Sequence, residues 1–215
     1  EIVAYNPEEQ EKIEGLKAWW STHGSSVIII LSTMIAVMAG MQAWKYYHKQ
    51  QALQAADLFA VLQQQIDKGG SSEKINDALH LLTTGYPESG YASRAALIAA
   101  QANKNLGNLP EAKAKLQWIL DHAKELEIKD IARLRLAGVL LDEKKFDGAL
   151  KLLDSQHGES FSGLYADLKG DILVAAGKPS EASAAYQKAY DRFSMSKSNY
   201  MNLVQMKLDA VKVSK

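Results

Sequence analysis

Gly170-Asp-Ile-Leu-Val-Ala-Ala-Gly177-Lys-Pro179-Ser-Glu-Ala182-Ser-Ala-Ala-Tyr186-Gln-Lys-Ala189 is a helix, a turn and a second helix written in twenty residues. Gly177 breaks the first helical pattern, Pro179 suits the opening of the next, and Glu181 places an acid near the positive end of its dipole. The same device recurs upstream as Asn108-Leu109-Pro110-Glu111-Ala112 and Lys145-Phe146-Asp147-Gly148-Ala149, and Ala78 in Ile75-Asn76-Asp77-Ala78-Leu79 joins the series. The steps from Ala78 to Ala112, Ala149 and Ala182 are 34, 37 and 33 residues. A period in this range is that of a helical-repeat solenoid, in which each unit buries its apolar face against the next.

The spacing is that of tetratricopeptide repeats, each a helix pair. The recurrent alanine is small so that the two helices can cross closely, and Leu116, Leu153 and Tyr186, four residues later, fill the adjoining gap. Gly170, Gly177, Ala182, Tyr186 and Ala189 stand where the repeat takes small or aromatic residues, whereas Gly69-Gly70-Ser71-Ser72 shortens the leading helix of the first unit. All four prolines stand at helix starts or turns, and between the breaks apolar residues recur at three and four with no strand alternation. The chain therefore reads as all-α, with helices near 53–68, 73–85, 91–106, 110–125, 129–143, 146–154, 162–176, 179–193 and 199–212. Met201, Val204, Leu208 and Val211 share one face of the last, which reads as a cap with a polar outer side. Solenoids bind partners along the first helices of their pairs. The inner-face candidates are Arg94, Leu97, Gln101, Lys104, Leu134, Leu141, Asp167 and Asp171. This mixed surface suits an extended polypeptide or a partner helix better than a terminal carboxylate, which asks for a cluster of Lys, Asn and Arg.

Upstream of the repeats, Ser25 to Trp44 is apolar and free of charge. Twenty residues of helix span about 30 Å, the thickness of a bilayer's hydrocarbon core. Trp19 and Trp20 precede the run, and Trp44, Tyr46 and Tyr47 close it, as aromatic belts do. A cleavable signal peptide would begin with a short basic region, but Glu1, Glu8, Glu9, Glu11 and Glu14 outnumber Lys12 and Lys17 here, so the run reads as an uncleaved anchor. Lys12 and Lys17 balance Lys45 and Lys49, so charge gives no orientation. Ser32, Ala36 and Gly40 form a small-residue row for docking on a partner's membrane helix. Asn6 and Pro7 predict the start of a short N-terminal amphipathic helix that Gly24 ends. No glycine or proline occurs between Met41 and Lys68, so the membrane helix is expected to run on into the first solenoid helix; the competing expectation is a hinge near Lys49 to Ala52.

Composition excludes several function classes. The segment after Trp44 holds 23 basic and 20 acidic residues without a basic stripe, which argues against nucleic acid. There is no cysteine, hence no disulfide, thiolate metal site or cysteine nucleophile. The five histidines are scattered, Asp121-His122 reads as a helix-end pair that satisfies carbonyls, and no phosphate-binding loop occurs. Neither an enzyme nor a cofactor-binding protein is expected.

The tandem Trp19-Trp20 with Gly24, the exit Trp44-Lys45-Tyr46-Tyr47, the segments Ala132-Arg133-Leu134-Arg135-Leu136-Ala137 and Tyr165-Ala166-Asp167-Leu168-Lys169-Gly170-Asp171, and the terminal Gln205-Met206-Lys207-Leu208 follow one another in an order that resembles the YfgM family, ancillary subunits of the bacterial SecYEG translocon, over essentially the full length. The resemblance implies a single-pass inner-membrane protein with residues 1–24 in the cytoplasm, a span at 25–44 and a periplasmic tetratricopeptide-like domain at 45–215. It implies partnership with SecYEG and with PpiD, a parvulin-like periplasmic chaperone, and transfer of nascent secretory polypeptides to periplasmic folding factors. It further implies a cytoplasmic-side link to an envelope-stress response. A generic membrane-anchored scaffold for another envelope complex is the alternative that the repeats alone leave open.

Overall fold

The computed structural model describes residues 7–213, and among them all regular structure is helical. Nine α-helices follow in order: α1 (Pro7–Asp67), α2 (Ser72–Gly85), α3 (Gly90–Asn105), α4 (Leu109–His122), α5 (Leu126–Asp142), α6 (Phe146–Leu153), α7 (Ser162–Ala175), α8 (Pro179–Met195) and α9 (Tyr200–Val213), with one 3-10 turn at Glu159–Phe161. The chain divides into one compact unit ending at Ala52 and another beginning at Leu53.

Within the first unit, α1 is helical from Pro7 onward, and the expected cap at Asn6 lies outside the described residues. The expected stop at Gly24 does not occur. Gly24 remains helical, and the Trp20 indole lies over it, 3.1 Å from where a Cβ would stand. A helix tolerates an internal glycine at a cost of about 1 kcal/mol, and an end needs a further signal that Ser25 and Ser26 do not supply. Ile28 to Met41 carry their apolar side chains exposed, in a helix long and apolar enough to cross a membrane.

The second unit is built from helix pairs. Residues 53–67 of α1 bring Ala55 and Leu62, fully buried, against α2 and α3, and Phe59 meets Tyr91 with ring centroids 5.6 Å apart. α3 then pairs with α4, α5 with α6 and α7 with α8, while α9 closes on α8. First helices lie side by side, α3 on α5 and α5 on α7. The recurrent alanines do what their size suggests. Ala149 and Ala182 are completely buried and Ala112 nearly so, with Leu116, Leu153 and Tyr186 buried beside them. Gly170 is the tightest point, because the Tyr186 ring lies against the position a Cβ would take.

The five turns after α1, α3, α5, α7 and α8 share one geometry. In each, a residue with positive φ (Gly69, Gly107, Lys144, Gly177 and Lys197) ends the helix. Its N–H and that of the following residue return to carbonyls of the last turn, as in Gly177 to Val174 and Lys178 to Leu173. These are Schellman closures, which satisfy carbonyls that a helix end otherwise leaves bare. Side chains cap the starts of the next helices: Ser71 accepts from the Lys74 N–H, Ser89 from Tyr91 and Asn108 from Glu111. α4 stops earlier and α5 starts earlier than periodicity predicts, because Ala123 and Glu125 are extended and turn the chain between them.

On α9, Val204, Leu208 and Val211 are buried and Met201 partly so, as expected of a cap. Its outer side is less polar than a cap's should be, since Leu203 and Met206 are exposed.

Candidate functional site

The surface proposed from sequence lies on the first helices α3, α5 and α7, and most of its side chains turn out to be occupied by neighbouring repeats. Arg94, on α3, donates to both carboxylate oxygens of Glu125 at 2.9 and 2.7 Å, and to the Gly90 carbonyl. Lys104 pairs with Asp142 of α5 at 3.0 Å. Gln101 donates to Asn105, one turn on in its own helix. Leu97 is a correction: it is buried among the core residues, so its side chain offers no binding surface. Its carbonyl accepts from the Arg135 guanidinium at 3.0 Å, and burial lowers the pKa of that guanidinium. Only the stacking of repeats brings Arg135 of α5 to the Leu97 backbone, and no local pattern on α3 reveals it. Leu134 and Leu141 are half-buried against the cluster of Ala137, Tyr165 and Ile172.

Asp167 and Asp171 are likewise not a free acidic edge. Lys207 reaches from α9 to donate to both, at 2.9 Å in each case, and Tyr186 donates its hydroxyl to Asp171 at 2.8 Å. Three helices, α7, α8 and α9, meet in this cluster. Burial raises the Asp167 pKa, with Lys207 opposing and Asp171 adding to the rise. For Lys207, burial lowers the pKa but the hydrogen bonds to the two aspartates outweigh it, so the net shift is upward. Burial, then the bond to Asp171, holds the Tyr186 hydroxyl far above its usual range.

Two further polar clusters escaped the sequence reading. Asp130, 2% exposed, accepts from Arg133 at 2.8 Å, from the Gly158 N–H at 2.9 Å and from the Tyr165 hydroxyl at 3.3 Å. It thereby ties the stretch between α6 and α7 back onto α5, and burial of Tyr165 pushes its hydroxyl up to about 12. Fully buried Asn103 donates to Asn76 and accepts from Ser72, linking α2 to α3. Asn76 passes the chain on to Glu111 of α4. The Asp121-His122 pair satisfies groups of its own helix: His122 lies 2.9 Å from the Trp118 carbonyl, stacked on that indole, and Gln117 donates to Asp121.

In the unit ending at Ala52, Ser32, Ala36 and Gly40 are exposed, and a Cβ added at Gly40 would meet nothing within 4 Å. Thr33, beside that row, donates its hydroxyl to the Ile29 carbonyl, which removes a bare donor from the apolar surface.

This is the architecture of a membrane-anchored helical-repeat protein, with packing surfaces and no assembled acid-base or nucleophilic pair among the side chains just described. A family model described as a tetratricopeptide repeat-like domain matches residues 17–213. An "Ancillary SecYEG translocon subunit" of Neisseria gonorrhoeae is 32% identical over 213 residues, covering 98% of this chain and all of the relative. Proteins of the same name from Haemophilus influenzae and Escherichia coli are 28% and 26% identical, over 87% and 83% of this chain and 91% and 85% of theirs. No solved structure matches the chain. The chain belongs to the tetratricopeptide-like YfgM family of ancillary translocon subunits.

Proposed function

We propose that the chain is an ancillary subunit of the bacterial Sec translocon that links SecYEG to the periplasmic chaperone PpiD and passes newly translocated polypeptides to it. In this reading α1 crosses the inner membrane once over residues 25–44. Residues 1–24 lie in the cytoplasm, where they bear on an envelope-stress response, and the repeat domain from residue 45 lies in the periplasm. The observation that carries the proposal is the end-to-end match to a relative named for the translocon, combined with an exposed apolar helix that needs a bilayer to cover it. The row Ser32, Ala36 and Gly40, open at Gly40, is the proposed docking face for a partner's membrane helix. Within the solenoid, those first-helix residues that keep exposed atoms, Gln101 and the rims of Arg94 and Lys104, are the proposed partner surface.

Affinity purification of the full chain from membranes in mild detergent tests the reading. Recovery of SecYEG and PpiD is expected. Their absence, together with another stable partner, would make the protein a scaffold for a different envelope machine. Replacing Ala36 and Gly40 by Leu is expected to reduce recovery of at least one of the two, and unchanged recovery of both would remove the docking face from the proposal.

A further inference from the structure

Tyr200, Leu203 and Met206 recur at every third residue of α9 and stand exposed, while Val204, Leu208 and Val211 are buried in the cluster shared with α8. α9 is thus apolar on two faces, where the last helix of a solenoid needs only one. Beside Tyr200 the surface sinks into a hollow of about 510 Å3 between the start of α7 and the end of α8. Half-buried Leu164 and exposed Met195 and Tyr200 stand around it, and Phe193, whose ring centroid lies 5.7 Å from that of Tyr200, lines it as well. Its charged groups, Glu159 and Arg192, are paired with each other.

Met195, Tyr200, Leu203 and Met206 are between 46% and 78% exposed. Four side chains of this size present on the order of 500 Å2, at the upper end of the apolar patches that monomers leave open. That is more than half of the ~800 Å2 that each partner buries in a stable complex.

The patch is complementary to itself. Met206 projects six residues beyond Tyr200, about 9 Å along α9. A second α9 turned end for end about Leu203 sets its own Met206 over the first copy's Tyr200 and hollow, and Leu203 over Leu203. The contact at one end then repeats at the other, as an isologous interface requires. The same rotation pairs charges. Lys197 lies six residues before Leu203 and Asp209 six after it. Both are exposed and neither makes an ion pair among the described residues; Asp209 accepts from the neutral Gln205 amide. End-for-end pairing brings each Lys197 toward the other copy's Asp209. A helix of an unrelated protein has no reason to carry this matched pattern of knob, hollow and charge.

We propose that the protein pairs with a second copy of itself through α9, the two helices antiparallel about a twofold axis at Leu203, with each Met206 seated in the hollow beside the other copy's Tyr200. The pairing is read without SecYEG, so its failure is separate from failure of the translocon reading.

The test uses the full chain in detergent micelles, which has no cysteine of its own. A residue on a twofold axis meets its own copy, so mild oxidation of Leu203→Cys should give a disulfide-linked dimer. Leu126→Cys, 70% exposed on α5, is the control and should stay monomeric. In sedimentation equilibrium with density-matched detergent, Met206→Asp should raise the dimer dissociation constant about tenfold or more. Lys197→Asp should raise it about fivefold, and adding Asp209→Lys to that variant should restore it to within about twofold of the parent. Circular dichroism with an unaltered thermal midpoint shows that each variant is folded. A parent that sediments as a monomer at every concentration would overturn the proposal and leave the face to a helix of another protein. Leu203→Cys crosslinking no better than the control, or a charge swap that fails to restore pairing, would overturn it equally.

Discussion

Two helices of this protein are rich in apolar residues, and they are treated in opposite ways. From Ile28 to Met41, α1 carries isoleucine, leucine, valine and methionine, yet Ile29 is 65% and Ile35 66% exposed. α3 is made largely of alanine, and Ala92, Ala95, Ala96 and Ala99 are all 0% exposed. The lesson is that burial inside the protein follows from small side chains at helix crossings, more than from hydrophobicity. Alanine lets backbones approach, so a face of alanines is covered on several sides at once. A helix that is bulky and apolar all around has no such partner face, and a bilayer is the solvent in which it is stable.

That contrast can be broken experimentally, beginning with the largest expected effect. Ile30→Arg puts a charge near the middle of the apolar run, where insertion is expected to cost roughly 2.5–3.5 kcal/mol. The share of chain resisting carbonate extraction from membranes should fall several-fold, while the thermal midpoint of the repeat domain stays as it was. Gly170→Val comes next. Its Cβ would meet the Tyr186 ring, so a loss of about 2–3 kcal/mol is expected in urea unfolding. The matching change Gly40→Val in α1, where a Cβ meets nothing within 4 Å, should leave that unfolding curve unchanged.

Lys207→Met is expected to cost about 2 kcal/mol at neutral pH, since it leaves Asp167 and Asp171 facing each other without their shared cation. The pH dependence separates this from simple loss of packing. A lysine whose pKa is raised by folding contributes stability that is present below its unfolded pKa and lost as pH rises through the folded one. An aspartate with a raised pKa favours the fold at pH below its unfolded value and loses that contribution as pH rises through the folded one. The gap between parent and variant should therefore be widest near neutrality and narrow toward both pH 4 and strongly alkaline pH. A constant gap would mean that the cluster acts through packing alone. The smallest effect expected is a gain. Lys144 has φ of 59° in the turn where its repeat counterparts are glycines, so Lys144→Gly should stabilise by roughly 0.5–1 kcal/mol in the same urea assay.

That last case also shows where the sequence stops being readable. Gly69, Gly107 and Gly177 announce three of the five Schellman turns, but nothing about Lys144 or Lys197 signals a left-handed residue; the repeat register alone places them. The crossing alanines, the Pro and Gly punctuation and the apolar run were legible because they are local patterns with a fixed period. The first-helix surface was legible in its position and not in its occupancy. Asp167 and Asp171 are about forty residues from Lys207, and Arg94 is thirty-one from Glu125, so their pairing depends on how successive repeats stack. Asp130 was missed for the same reason, its partner Gly158 lying twenty-eight residues away. Gly24 failed as a helix stop because a single glycine lacks the αL geometry and flanking signals that stop a helix elsewhere in the chain.

In the proposed topology, α1 crosses the membrane once and the repeats lie on the periplasmic side. Because the chain has no cysteine, single cysteines can be introduced as clean reporters. Lys17→Cys lies before the apolar run and Lys151→Cys on the exposed surface of α6. Labelling intact bacterial spheroplasts with a membrane-impermeant maleimide should modify the position 151 reporter at once and the position 17 reporter only after lysis. The reverse order would contradict the orientation, and labelling of both without lysis would contradict the span itself.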